Sequence, residues 1–139
     1  MFGLITALIE KSDPDGRLTA EHALLATALD DVRAMVESLI HYVVAAQEEP
    51  TEVYKVGLGA VRLLFAIGDL LVGWRLLEQA RVALTVSAKH STIEHKGFYE
   101  GKVAVASYFC KNVLPELTAT RAILESIDND VMELHESAF

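Results

Sequence analysis

The segment from about Thr51 to about Ala88 carries more apolar surface than a lone helix can hide, and that constrains everything around it. One stripe (Val56, Ala60, Leu63, Ile67, Leu70, Trp74, Leu77) steps by four and three residues, the period of a helix face. A second stripe (Leu58, Val61, Phe65, Val72, Leu76) covers another side. A helix apolar on two sides has to be buried on both, so this segment is expected at the centre of the structure. Gly57, Gly59, Gly68 and Gly73 fall inside it, each costing about 1 kcal/mol relative to alanine in a helix. That cost is tolerable where a neighbouring backbone or ring must come close. Tight helix packing is the expected reason, and a ligand lying across the glycines is the other reading.

Two more long segments carry the same period. In the first, Leu25, Leu29, Val32, Val36, Leu39 and Val43 step along one face, with Asp30, Arg33, Glu37 and His41 elsewhere. Thr19 is the expected N-cap after the turn SDPDG, and QEEP closes the helix near residue 48. The third segment follows the polar stretch KHSTIEHKG, expected as a loop, and runs to about Ile127. Its apolar positions include Phe98, Val105, Phe109, Val113, Leu117, Leu124 and Ile127. Short helices are expected at Phe2–Glu10 and, after the turn-like DND, at Val131–Phe139. With no sustained strand-like alternation and no internal repeat, the expected fold is all-α. It is an antiparallel up-and-down bundle of three long helices with short ones at the ends. Residues 1–17 read as a short helix and turn, and 18–139 as the bundle domain.

Composition narrows the function classes. The chain has 139 residues, is 52% hydrophobic and 23% charged, and has a positive mean hydropathy of +0.30. This is apolar for a chain whose small size should demand polar cover, so it buries surface against something else or lies in a membrane. The net charge of −8, without a basic run, argues against nucleic acid and anionic lipid. Val56–Trp74 reaches spanning length, but Arg62, Asp69 and the four glycines interrupt it, so it reads as a buried core helix rather than a membrane span. The N-terminus MFGLITALIEK lacks the basic start and cleavage site of a signal peptide. The single cysteine, Cys110, excludes an intrachain disulfide. Beside Ala106, Tyr108 and Phe109 it reads as a buried hydrophobe suited to a reducing cytoplasm.

No constellation of catalytic residues emerges. A carboxylate-bridged di-iron bundle needs Glu-x-x-His on two helices, and the sequence has none. Glu37 and His41, one turn apart, lie off the apolar stripe and read as a solvated pair. His22 and His135 complete the five histidines with His90 and His95, which fall in the polar stretch and are expected as exposed loop histidines. There is no Gly-x-Ser-x-Gly, no phosphate-cradling glycine loop and no Gly-x-Gly-x-x-Gly. Asp69, on the apolar helix, is the one carboxylate placed where burial would raise its pKa. With Arg62 and Arg75 about two turns away, an ion pair is the expected use. Catalytic, cofactor-binding and metal-binding residues are therefore all expected to be absent from this chain.

The stretch FYEGKVAVASYFCKNVLP, with the earlier GDLLVGWRLLEQARVAL, resembles the C-terminal helical extension of a subset of flavin-dependent acyl-CoA dehydrogenases. The matching residues are Gly68, Gly73, Trp74, Gln79, Ala80, Phe98, Tyr99, Gly101, Lys102, Val113, Leu114 and Pro115, and the similarity runs from about Leu18 to the end. MFGLITALIEK corresponds to the tail of the helix that joins such an extension to the dehydrogenase proper. The resemblance implies an accessory domain for packing and oligomer assembly in an enzyme of fatty acyl-CoA oxidation. FAD would belong to the parent enzyme, with no cofactor in this chain. The implied partners are upstream dehydrogenase domains, or a second copy meeting an apolar helix face in a homo-oligomer; Phe65, Val72 and Leu76 are the natural contact candidates. The alternative is a stand-alone helical bundle binding a small ligand or metal. Pro115 costs about 3 kcal/mol in a regular helix, so a kink near Asn112–Pro115 is expected, with the Asn112 side chain serving the freed backbone groups.

Overall fold

The computed structural model describes residues 1–10, 16–89 and 93–138. The described residues form five α-helices: α1 (Phe2–Ile9), α2 (Thr19–Ala45), α3 (Val53–Lys89), α4 (Ile93–Asn112) and α5 (Glu116–Glu125). Single 3-10 turns lie at Pro50–Glu52 and Glu136–Ala138, and no strand occurs among the described residues. The all-α bundle is as expected. α3 packs along both α2 and α4, and α5 closes over α2. At 37 residues, α3 runs for about 55 Å.

The core is built where the helices present a seven-residue repeat to one another. On α2 that repeat is Leu25, Ala28, Val32, Met35, Leu39 and Tyr42, all buried. The expected stripe drifts off it towards the C-terminus, where Val43 is exposed. On α3 the inward positions alternate small and large: Gly59, Leu63, Ala66, Leu70, Gly73, Leu77, Ala80 and Leu84. Ala60, expected inside, is exposed, because a 3.5-residue repeat separates it from the inward line. On α4 and beyond, Ala106, Cys110, Leu114, Leu117 and Leu124 are buried, whereas Phe98 and Val105, expected inside, face out. α1 joins the same core through Ile5 and Leu8.

Two of the four α3 glycines meet the packing expectation. A Cβ on Gly59 would come within 2.9 Å of Leu39 Cδ2 and 3.2 Å of Ile127 Cδ1. One on Gly73 would come within 3.0 and 3.1 Å of the two Leu114 methyls. Gly57 and Gly68 have nothing within 4 Å and so do not serve close packing within this chain.

The break at Pro115 is present. The Leu114 N–H reaches back five residues to the Phe109 carbonyl (3.4 Å), and the Glu116 and Leu117 N–H groups then close tight turns onto Val113 (3.0 Å) and Leu114 (3.1 Å). Pro115 itself keeps helical angles (φ −63°, ψ −20°), so the chain bends between α4 and α5 without reversing. The Asn112 amide donates to the Tyr108 carbonyl (2.8 Å), not to the Lys111 carbonyl that faces the proline ring.

Three local expectations change. The residue preceding α2 is Leu18, buried and without a side-chain cap. Thr19 instead donates its hydroxyl to the Gly16 carbonyl (3.1 Å), at the one positive-φ residue among those described (Gly16, φ 66°). Ile93–Gly97, read as loop, begins α4. Val131–Phe139 forms no α-helix in its described part, only turns and the 3-10 turn at Glu136–Ala138.

Candidate functional site

Among the described residues, three polar ties run from α2 to α4 and α5. Glu21, at the start of α2, is buried and accepts hydrogen bonds from the Ser107 hydroxyl (2.6 Å) and Lys111 Nζ (3.1 Å) on α4. Burial pushes its carboxyl up, but those two partners outweigh it and hold the group below its ordinary value. Asp31, also buried, accepts from Thr118 (2.6 Å) and Arg121 (3.4 Å) on α5. The Tyr42 hydroxyl donates to the last carbonyls of α5, Leu124 (3.2 Å) and Glu125 (3.3 Å), beside the Ile127 N–H that also reaches the Leu124 carbonyl (3.5 Å). Sequence reading passed over Glu21 and Asp31. The available signal was that Glu21 extends the inward line of α2, where an acid must find a partner.

The second apolar stripe of α3 is not buried within the chain. Val61 and Phe65 are 60% and 70% exposed, Leu58 and Val72 are also exposed, and Leu64, outside the expected stripe, joins them at 68%. Of that stripe only Leu76 is packed against the core. The expectation of burial on both sides is thus corrected. Pro50–Ser87 is long and apolar enough to cross a membrane, yet only 22% of its most apolar window is buried here. Gly57 and Gly68 lie on this outer side, where their missing Cβ atoms flatten the surface. On α4, Phe98, Gly101, Val105 and Tyr108 repeat the pattern at helical spacing, all exposed. Lys102 ties the two helices by donating to Gln79 Oε1 (3.1 Å). An apolar expanse of this kind marks an interaction surface.

Asp69 sits beside this surface in a shallow hollow of about 170 Å³, lined also by Arg62, Phe65, Glu116 and Thr120. Burial and then the neighbouring Glu116 raise its pKa. It makes no ion pair among the described residues. Arg75, expected as a partner, bonds Glu78 instead (2.6 Å). Cys110 is fully buried, and burial pushes its thiol up to about 11. Glu37 and His41 are both exposed, as read from the sequence, and His22 is buried with Nε2 unpartnered. The His90 reading lies outside the described residues, as does that of the His95 side chain. Among the described residues no group of three or more His, Cys, Asp or Glu side chains is placed to hold a metal.

The described helices thus form a bundle whose central helix, α3, presents an exposed apolar face. The family model described as "Acetyl-CoA dehydrogenase C-terminal like" matches residues 1–135, and the chain belongs to that family. The chain is 51% identical over 137 residues to the broad-specificity linear acyl-CoA dehydrogenase FadE5 of Mycobacterium tuberculosis, covering 99% of this chain and 22% of that protein. It is 31% identical over 85 residues to a butyryl-CoA dehydrogenase of Syntrophomonas wolfei, covering 60% of this chain and 14% of that one. The chain therefore spans about a fifth or less of the length of these relatives.

Proposed function

We propose that this chain acts as the accessory C-terminal domain of a cytoplasmic, FAD-dependent acyl-CoA dehydrogenase. It contributes packing and oligomer assembly, and it supplies no catalytic residue, metal ligand or flavin contact of its own. Residues 1–17 lead in from the dehydrogenase portion, with α1 seated on the core through Ile5 and Leu8, and 18–139 form the rest of the bundle that docks on it. The observation that carries this reading is the exposed α3 face of Val61, Leu64, Phe65 and Val72, flattened by Gly57 and Gly68. Burying a side chain such as Phe65 is worth roughly 1.5–3 kcal/mol, so several together supply a stable interface. A relative of which this chain covers 22% has ample remaining polypeptide to cover that face.

The test is titration of the separately produced upstream dehydrogenase portion with this chain, followed by calorimetry. Binding is expected, and Val61→Asp with Phe65→Glu should abolish it while leaving the helical signal intact. Absence of binding by the unaltered chain, or equal binding by the variant, overturns the proposal. A metal or small ligand retained in stoichiometric amount by the purified chain would favour the stand-alone bundle instead.

A further inference from the structure

On the exposed side of α3, Asp69 is a half-buried carboxylate with no hydrogen bond or ion pair among the described residues. It lines the hollow of about 170 Å³ between α3 and α5, whose apolar lining is the exposed Phe65 and the buried Ala66 and Leu117. The charged groups there are Asp69 and Arg62 from α3 and Glu116 from α5, two acids against one base. Arg62 forms no ion pair with either acid, and the Thr120 hydroxyl is spent on the Glu116 carbonyl (3.1 Å). The nearest cations of α4 and α5 are committed elsewhere. Lys111 pairs with Glu21 (3.1 Å), and Arg121 pairs with Asp31 (3.4 Å) and Glu125 (2.7 Å). Burial and the Glu116 charge both disfavour ionised Asp69, and nothing in this chain offsets them.

We propose that this hollow receives a lysine or arginine side chain from the dehydrogenase portion of the longer protein, whose cationic head pairs with Asp69 and Glu116. The proposal rests on the docking reading above and adds the chemistry of the occupant. Docking over Phe65 and Val72 carries Asp69 out of water, and a carboxylate left without a partner there is costly. A neutral donor would bond one acid but leave the repulsion between the two in place. A cation answers both. The stem of a lysine or arginine is apolar and lies against Phe65, Ala66 and Leu117 while the head reaches the acids. The hollow is smaller than small-molecule sites, which run to about 300–1,000 Å³, so a single side chain suits it better than a free ligand.

The sign of one substitution tests this. In the full dehydrogenase, a thiol placed by Val61→Cys, on the α3 face but outside the hollow, reports by its maleimide labelling how often the docked face opens. Followed by peptide mass, that labelling should be at least about tenfold slower than in the same protein unfolded in urea. Adding Asp69→Asn keeps the shape, removes the charge and strands the incoming cation, so the rate should rise about tenfold or more. Glu116 is exposed, so Glu116→Gln, which should also raise the rate, reads the same pairing without altering α3. Arg62→Gln should leave it unchanged. Circular dichroism establishes that each variant keeps its helices. If Asp69 enters the contact unpaired, Asp69→Asn relieves a desolvated charge and labelling slows instead. A slower or unchanged rate with Asp69→Asn overturns the proposal and leaves docking intact. So does a rise with Arg62→Gln equal to that with Asp69→Asn, which makes Arg62 the partner. Residue 61 labelled as fast as in the unfolded protein overturns the docking reading, and this proposal with it.

Discussion

Gly73→Ala and Leu114→Ala, made singly and together, report on the fit between α3 and the break at Pro115. Leu114 is buried at that break, and its side chain fills the notch left by Gly73, with both methyls within 3.1 Å of where a Cβ would stand. Alanine at 73 gains about 1 kcal/mol of helix propensity. It also overpacks a well-filled core, which costs about 1–3 kcal/mol, so the single change should come out neutral to about 2 kcal/mol destabilising. Leu114→Ala alone removes a buried leucine and should cost about 2–5 kcal/mol. In the Leu114→Ala background the obstructing methyls are gone, and Gly73→Ala should then stabilise by about 1 kcal/mol. The same substitution thus changes sign, with a coupling energy of about 1–3 kcal/mol. Urea unfolding of the four proteins, followed by helical circular dichroism, measures the cycle. Effects that add to within about 0.5 kcal/mol would refute the wedge.

Gly68→Ala meets nothing within 4 Å, so it should stabilise the isolated chain by up to about 1 kcal/mol; destabilisation in the same urea assay would contradict that geometry. Glu21 is held below its ordinary 4.5, so the stability it contributes is complete above that pH and is lost as pH falls through its lowered value. Glu21→Gln should therefore flatten the acid limb of the stability–pH curve, and an unchanged limb would contradict the Ser107–Lys111 tie. Asp69, held above its ordinary 3.8, works in the opposite sense, with stability falling as pH rises through that window, and Asp69→Asn should remove that fall. Tyr42→Phe, which strips the hydroxyl from the Leu124 and Glu125 carbonyls, should cost about 1 kcal/mol; a cost near zero by urea titration would show that water replaces it.

Periodicity made the bundle legible because buried leucines recur at fixed spacing, and Pro115 marked the division between α4 and α5 because a missing N–H has one structural meaning in a helix. Orientation was harder. Ala60, Val43, Phe98 and Val105 fit an apolar stripe as well as Ala66, Tyr42 and Ala106 do, since hydrophobicity alone does not say which of two adjacent faces meets the core. The inward line of α3 was marked by small residues alternating with leucine, a signal of close approach that outranks bulk hydrophobicity. The outer stripe was read correctly as apolar and wrongly as covered. No described residue of this chain covers it, so a rule that assumes burial within one chain misplaces it. Gly57 and Gly68 were legible only as glycines. Their open surroundings separated them from Gly59 and Gly73.

The central claim is that the α3 face is covered in the longer protein. A thiol placed by Phe65→Cys reads this directly, because Cys110 is fully buried and its thiol is held protonated, keeping it silent towards maleimide. The labelling rate at residue 65, measured by peptide mass, should be fast in the excised chain and at least about tenfold slower in the full dehydrogenase, where docking buries the position. Equal rates in the two proteins would contradict the account.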